Sequence, residues 1–139
     1  MTTPRWHLRL DNFLATLASL EASARLASER ELSELEKAGL VQQFEVCWEA
    51  GWKVMRDYLY ATGSPVDVPV PRNVIRAAFE ANLVTDGDMW IEAMKARNIM
   101  SHEYDCSAFG ETVAKIGTDF LPLLVALRAR LIGERDAGN

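Results

Sequence analysis

Two cysteines, two histidines and five prolines are spread over 139 residues, and each scarcity closes off a class of protein. Cys47 and Cys106 are too few for a disulfide framework. The opening stretch MTTPRWHLRLDNF has neither an apolar signal core nor a cleavage site. Reduced thiols and a cytoplasmic location are therefore expected. His7 and His102 have no second ligand at metal spacing, so no metal and no cofactor is expected. No apolar run approaches the roughly 18 residues of a membrane span. Gly-rich phosphate loops, internal repeats and low-complexity tracts are also missing. So is a basic excess: 15 Lys and Arg stand against 20 Asp and Glu, a net charge of −5. That argues against a general nucleic-acid binder, which needs a basic footprint. It leaves room for a small local RNA site and fits a protein whose main partner is another protein.

What is present is a helical period. Hydrophobic residues at 49% and charged residues at 25% fit one domain over residues 1–139, with its core at about 8–131. From about 5 to 28, Leu10, Phe13, Leu14, Leu17 and Leu20 step by three and four. From about 33 to 62, Val41, Phe44, Trp48, Trp52, Met55 and Leu59 form a second stripe, with Ser33 and Glu36 as a capping box and Gly63 as the stop. SPVDVPVP, residues 64–71, reads as an extended loop, and Pro71 opens a short helix over 71–83. Thr85 and Asp88 mark the start of a further helix. Asp105 or Ser107 caps a last one that runs to about 131, with Pro122 kinking it or removing one hydrogen bond and a frayed tail after it. No stretch alternates like a strand for long. The expected class is all-α: an up-and-down four-helix bundle with one additional short helix.

RNIMSHEYD, residues 97–105, gathers an arginine, an asparagine, a histidine, a tyrosine and an aspartate. Asn98 and His102 share a helix face, whereas Arg97 and His102, five apart, point about 140° away from each other. Metal-free RNA cleavage needs a base, an acid and positive charge at the phosphorane. A histidine titrating near neutrality and an arginine fork supply those groups. One chain offers one such histidine, so a site of this kind calls for a two-fold dimer, or for a turn after Ser101 that re-aims the imidazole. The same residues also read as helix-end structure: a cation and an asparagine in the last turn, and His102 on a terminal carbonyl.

These residues resemble a known pattern. RNIMSHEYD is similar to the RNxxxHxY motif of the HEPN superfamily. LRLDNFLATLASL, LEKAGLVQQFEVCWEAGWKVMRDYL and PRNVIRAAFEANLVTDGDMWIEAM stand in the order and spacing of its HepT-like branch, the nucleotidyltransferase substrate-binding proteins. The likeness covers about residues 8–131. It implies a dimerising helical bundle with a metal-independent ribonuclease site between protomers, built from Arg97 and His102 with Asn98 as polar neighbour. It also implies a minimal nucleotidyltransferase partner that, in toxin–antitoxin pairs, silences the ribonuclease by adding AMP to the motif tyrosine, here Tyr104. The alternative within the resemblance is a non-catalytic nucleotide- or substrate-binding subunit. Gln43, in QQFE, stands where a basic residue is expected, leaving one positive charge fewer near an RNA groove.

Glu45, Glu49 and Lys53 step by four along the second helix. They read either as a polar cluster supporting the site or as solvated helix pairs. Trp48 and Trp52 read as core or interface filler, given the apolar stripe they belong to. Cys47 and Cys106 read as small hydrophobes.

Overall fold

The structure of the chain, a computed structural model, describes residues 2–100 and 107–139. Helix α1 spans Arg5–Glu29, α2 Glu34–Ala61, α3 Pro71–Glu80 and α4 Gly87–Met100. Helix α5, Ser107–Lys115, continues through a wide turn at Ile116–Phe120 into α6, Leu121–Asp136. The result is the expected all-α bundle of four main helical elements and the short α3. Among the described residues no helix is long and apolar enough to cross a membrane.

The ends of the helices follow from local chemistry. Ser33 Oγ accepts the Glu36 N–H at 3.2 Å, and the Glu36 carboxylate accepts the Ser33 N–H at 2.9 Å. The Arg30 guanidinium closes on the same carboxylate. Together they hold Glu36 down at about 2, with the Arg30 hydrogen bonds the larger cause. At the other end of α2, Gly63 takes φ +87° and the Ser64 N–H donates to the Leu59 carbonyl at 2.8 Å. This six-to-one closure wants a residue without a Cβ penalty. Helix α3 closes in the same way, but on Asn82 at φ 60°, with Leu83 N–H on the Ala78 carbonyl at 2.8 Å. It therefore ends at Glu80 rather than Leu83.

Two further expectations are corrected. Asp86, not Thr85, caps α4: its Oδ1 accepts the Met89 N–H at 3.1 Å. The tail is ordered rather than frayed. Helix α6 reaches Asp136, and a third six-to-one closure over Gly138 brings Asn139 to Glu134. The Asn139 carbonyl also lies 2.8 Å from His7 Nε2, which donates to it in the Nε2-protonated tautomer. Pro122 lies inside the last helix as expected and removes one hydrogen-bond donor from it. The π-helical turn just before it carries the Leu121 N–H to the Ile116 carbonyl, so the strain of the missing proline donor is taken up by one widened turn. The proposed cap Asp105 and the thiol Cys106 lie outside the described residues.

Helix α2 is the centre of the bundle and packs on α1, α3, α4, α5 and α6. Every residue of its predicted stripe is buried, as are Leu40, Cys47, Ala50, Val54 and Tyr58 between them. Phe44 stacks on Phe120 across to the π-turn, with centroids 5.3 Å apart. Against α1 the approach is close. A Cβ on Gly51 would stand 3.3 Å from the Phe13 ring. Trp6, Trp48 and Trp90 are all within 1% of full burial, which bears out the filler reading for Trp48. Burial pushes the Cys47 thiol up to about 12, so it stays protonated and unreactive at neutral pH.

Ser33→Ala is expected to lower the unfolding free energy by about 1 kcal/mol in urea titrations at pH 7. The Glu36 side of the box follows the sign of a lowered carboxylate: its contribution is full above pH 4.5 and is lost as the pH falls toward about 2. In a Cys106→Ser background, a thiol reagent at pH 8 should label nothing in the native protein and one cysteine after unfolding. Native labelling at the unfolded rate would contradict the burial of Cys47.

Candidate functional site

Arg97 and Asn98 stand in the last turn of α4. Glu45, Glu49 and Lys53 stand on α2, one helical turn apart in succession. The fold brings the two sets together. Arg97 Nη2 donates to Glu49 Oε2 at 3.1 Å, and Lys53 Nζ lies 3.5 Å from Glu49 Oε1. The other arm of the guanidinium, Nη1, donates to Asn98 Oδ1 at 3.3 Å. The result is a chain of charge from Lys53 through Glu49 to Arg97 and Asn98, along the rim of the α2–α4 seam.

The floor of this seam is Trp48. The Arg97 guanidinium carbon sits 5.9 Å from its ring centroid, within the reach of a cation–π contact. Arg97 Nε and the indole nitrogens of Trp48 and Trp52 are buried without a hydrogen-bond partner among the described residues. Helix α1 supplies the opposite wall with Arg9 and Asn12, closing a groove of about 310 Å³. Glu45 also lines it. Its carboxyl is pushed up by burial, and the Arg97 charge offsets part of that rise. Three cations and two carboxylates thus face the groove, a local positive excess in a chain of net charge −5. Arg9 is itself held by Asp57 at 3.1 Å. Such a groove can hold an anionic or hydrogen-bonding group against the fixed guanidinium edge.

Sequence patterning found Glu45, Glu49 and Lys53 but missed Arg9 and Asn12. These lie on the flank of an α1 stripe read only for its apolar face. Gln43 is half-buried and lines an adjoining groove with Thr16 and Ser19; Val46 forms the shared wall. His102 and Tyr104 lie outside the described residues.

A profile described as nucleotidyltransferase substrate binding protein like matches residues 8–132. The chain belongs to this family. Among solved structures, HI0074 from Haemophilus influenzae, described as showing the fold of a substrate binding domain of a nucleotidyltransferase, is similar with a TM-score of 0.78. It is 27% identical over 88% of this chain and 98% of that one. A protein from Thermus thermophilus is similar with a TM-score of 0.70 and 25% identity, over 88% of this chain and 97% of that one. No curated protein matches. The span matched to the family runs from α1 into α6 and takes in both walls of the Arg97 groove.

The Arg97–Glu49 pair is about two-thirds buried on each side, with side chains 32% and 30% exposed. A pair at a rim of this kind contributes about 0.2–1 kcal/mol, so its main effect is to aim the guanidinium. Glu49→Gln is expected to cost no more than about 1 kcal/mol of stability in urea. A loss of several kcal/mol would mean that the pair holds the helices together instead.

Proposed function

We propose that this member of the nucleotidyltransferase substrate-binding family is a non-catalytic subunit. It docks a small nucleotidyltransferase and holds that enzyme's substrate at the groove between α2 and α4. The observation that carries this reading is the state of Arg97. Its Nη2 is paired with Glu49, its Nη1 is turned to Asn98, and its guanidinium carbon lies 5.9 Å from the Trp48 ring centroid. That is a guanidinium set for recognition, with one carboxylate, Glu49, shared between it and Lys53. The family match over nearly the whole chain supports the same reading.

A second reading is a metal-independent ribonuclease toxin of the HEPN kind, and one observation favours it. Glu49 and Asn98 fix the Arg97 guanidinium at the end of α4, five residues before His102. In this reading two protomers form the site. Arg97 stabilises the phosphorane charge, His102 moves the protons and Asn98 orients the imidazole or the RNA. The nucleotidyltransferase is then the antitoxin and Tyr104 its acceptor. The phenol oxygen attacks the α-phosphorus of ATP, pyrophosphate leaves, and the phenol proton passes to a base.

The two readings part in one assay. Purified protein is incubated in EDTA with total RNA and labelled tRNA, beside His102→Ala, after its intact mass has been checked for an added AMP. The binding-subunit reading expects both proteins to leave the RNA whole. It also expects the chain to stimulate transfer from labelled ATP by a purified minimal nucleotidyltransferase, with that stimulation falling tenfold or more in Arg97→Ala. Cleavage by the unmodified protein and not by His102→Ala would replace it with the ribonuclease.

A further inference from the structure

A second groove, of about 610 Å³, runs between α3 and α4. It lies on a different face of α4 from the Arg97 site. Asp88, Ile91, Glu92 and Lys95 line it from α4, spaced three and four apart. Arg97 is rotated from Glu92 and Lys95 by roughly 140–160° about the helix axis. Helix α3 faces them with Arg72, Arg76 and Phe79, again four and three apart.

The charges in this groove stand out from those elsewhere on the chain. Of 15 lysines and arginines, ten are in ion pairs. Of the five in no ion pair among the described residues, Arg72, Arg76 and Lys95 all line this one groove. Asp86, Asp88 and Glu92 line the groove as well and balance its formal charge, but none lies within ion-pair distance of these cations. The groove also displays an aromatic face. Phe79 is 51% exposed, and its ring lies over Gly87, where an added Cβ would stand 3.2 Å from it.

The features are ordered along the groove. The short connection over residues 81–86 makes α3 and α4 antiparallel neighbours. Phe79 therefore lies at the Gly87 and Asp88 end, and Arg72 at the Lys95 end. The seven residues from Arg72 to Phe79 rise about 10 Å, matching the reach of a nucleoside monophosphate from base to phosphate. The volume is in the range of small-molecule sites. We propose that the α3–α4 groove binds a nucleoside phosphate, with the base stacked on Phe79 and the phosphate held by Arg72, Arg76 and Lys95. The sugar hydroxyls donate to the carboxylates of Asp88 and Glu92. Aromatic stacking and guanidinium forks are the usual means of holding those parts. The carboxylates set the class of ligand. They repel a bare polyanion and reward one that brings hydroxyl donors between its base and its phosphate.

This site goes beyond the α2–α4 groove and stands or falls without it. Calorimetric titration of the full chain with AMP, ATP and inorganic pyrophosphate tests it. AMP and ATP should bind, and pyrophosphate at least tenfold more weakly. The double variant Arg72→Glu/Arg76→Glu should lose nucleotide affinity tenfold or more, and so should Phe79→Ala. All three side chains are exposed, and an unchanged circular dichroism spectrum checks the fold. Phe79→Leu, which keeps the contact with Gly87 but removes the ring face, serves if the alanine destabilises the protein. No nucleotide binding at millimolar concentration overturns the proposal. So does pyrophosphate binding as tightly as AMP, or affinity untouched by the double variant. Loss of binding in Arg97→Ala alone also overturns it and moves the nucleotide to the other groove.

Discussion

Helix α2 has to be covered on nearly every side, because twelve of its residues are buried, among them Phe44, Trp48, Trp52 and Met55. Each large apolar side chain removed from water contributes about 1.5–3 kcal/mol. A helix apolar over so much of its surface cannot sit at an edge, and the other helices are the cover. Glycine at 51 lets α1 come against it. The stack of Phe44 on Phe120 fixes the last helix, and Trp90 brings α4 into the same core. The strip of α2 left at the rim is Glu45, Glu49 and Lys53. What meets that strip is decided by the packing of α4, and the residue that arrives is Arg97. The polar site is thus a consequence of the apolar core. Its own ion pairs are too weak to assemble the bundle.

Most of the fold was legible because it rests on periodic burial. The α2 stripe, the Ser33 box, the Gly63 stop and the opening at Pro71 are each set by residues within a few positions of one another, and all appear as read. The misreadings have one character: two local signals competed and geometry chose between them. Thr85 and Asp86 are both good caps, and only the position of the first α4 turn selects Asp86. Asn82 tolerates the left-handed conformation as glycine does, so α3 closes there although its apolar residues continue to Leu83. Pro122 read as a kink or a lost hydrogen bond, with no widened turn before it. Yet Thr112, Ile116, Phe120 and Leu124 are spaced by four three times running, a longer period than 3.6, and all are buried. That spacing is the sequence trace of the π-turn that absorbs the proline.

The site was only partly legible for the same reason. Spacing along α2 revealed Glu45, Glu49 and Lys53, but no pattern within one helix reveals which foreign residue will face them. The Arg97–Glu49 contact joins positions 48 apart in sequence. Arg9 and Asn12 come from α1, 33 to 44 positions before that strip. The resemblance of the motif to known proteins pointed to Arg97, Asn98, His102 and Tyr104. The described residues place the first two on the α4 rim.

Helix α4 carries two different kinds of positive charge on two faces. Arg97 is committed to a carboxylate, an amide and an indole ring, so its position is fixed. Lys95, two residues earlier, is exposed and faces Arg72 and Arg76 across the other groove with no carboxylate in ion-pair contact. A fixed guanidinium selects by shape and hydrogen-bond direction. Exposed cations in no ion pair can instead turn to meet a ligand, and they leave selection to neighbours such as Phe79, Asp88 and Glu92. One short helix thereby carries a fixed cation on one face and a free one on another, and the packing of its apolar residues against α2 and α3 keeps the two faces apart.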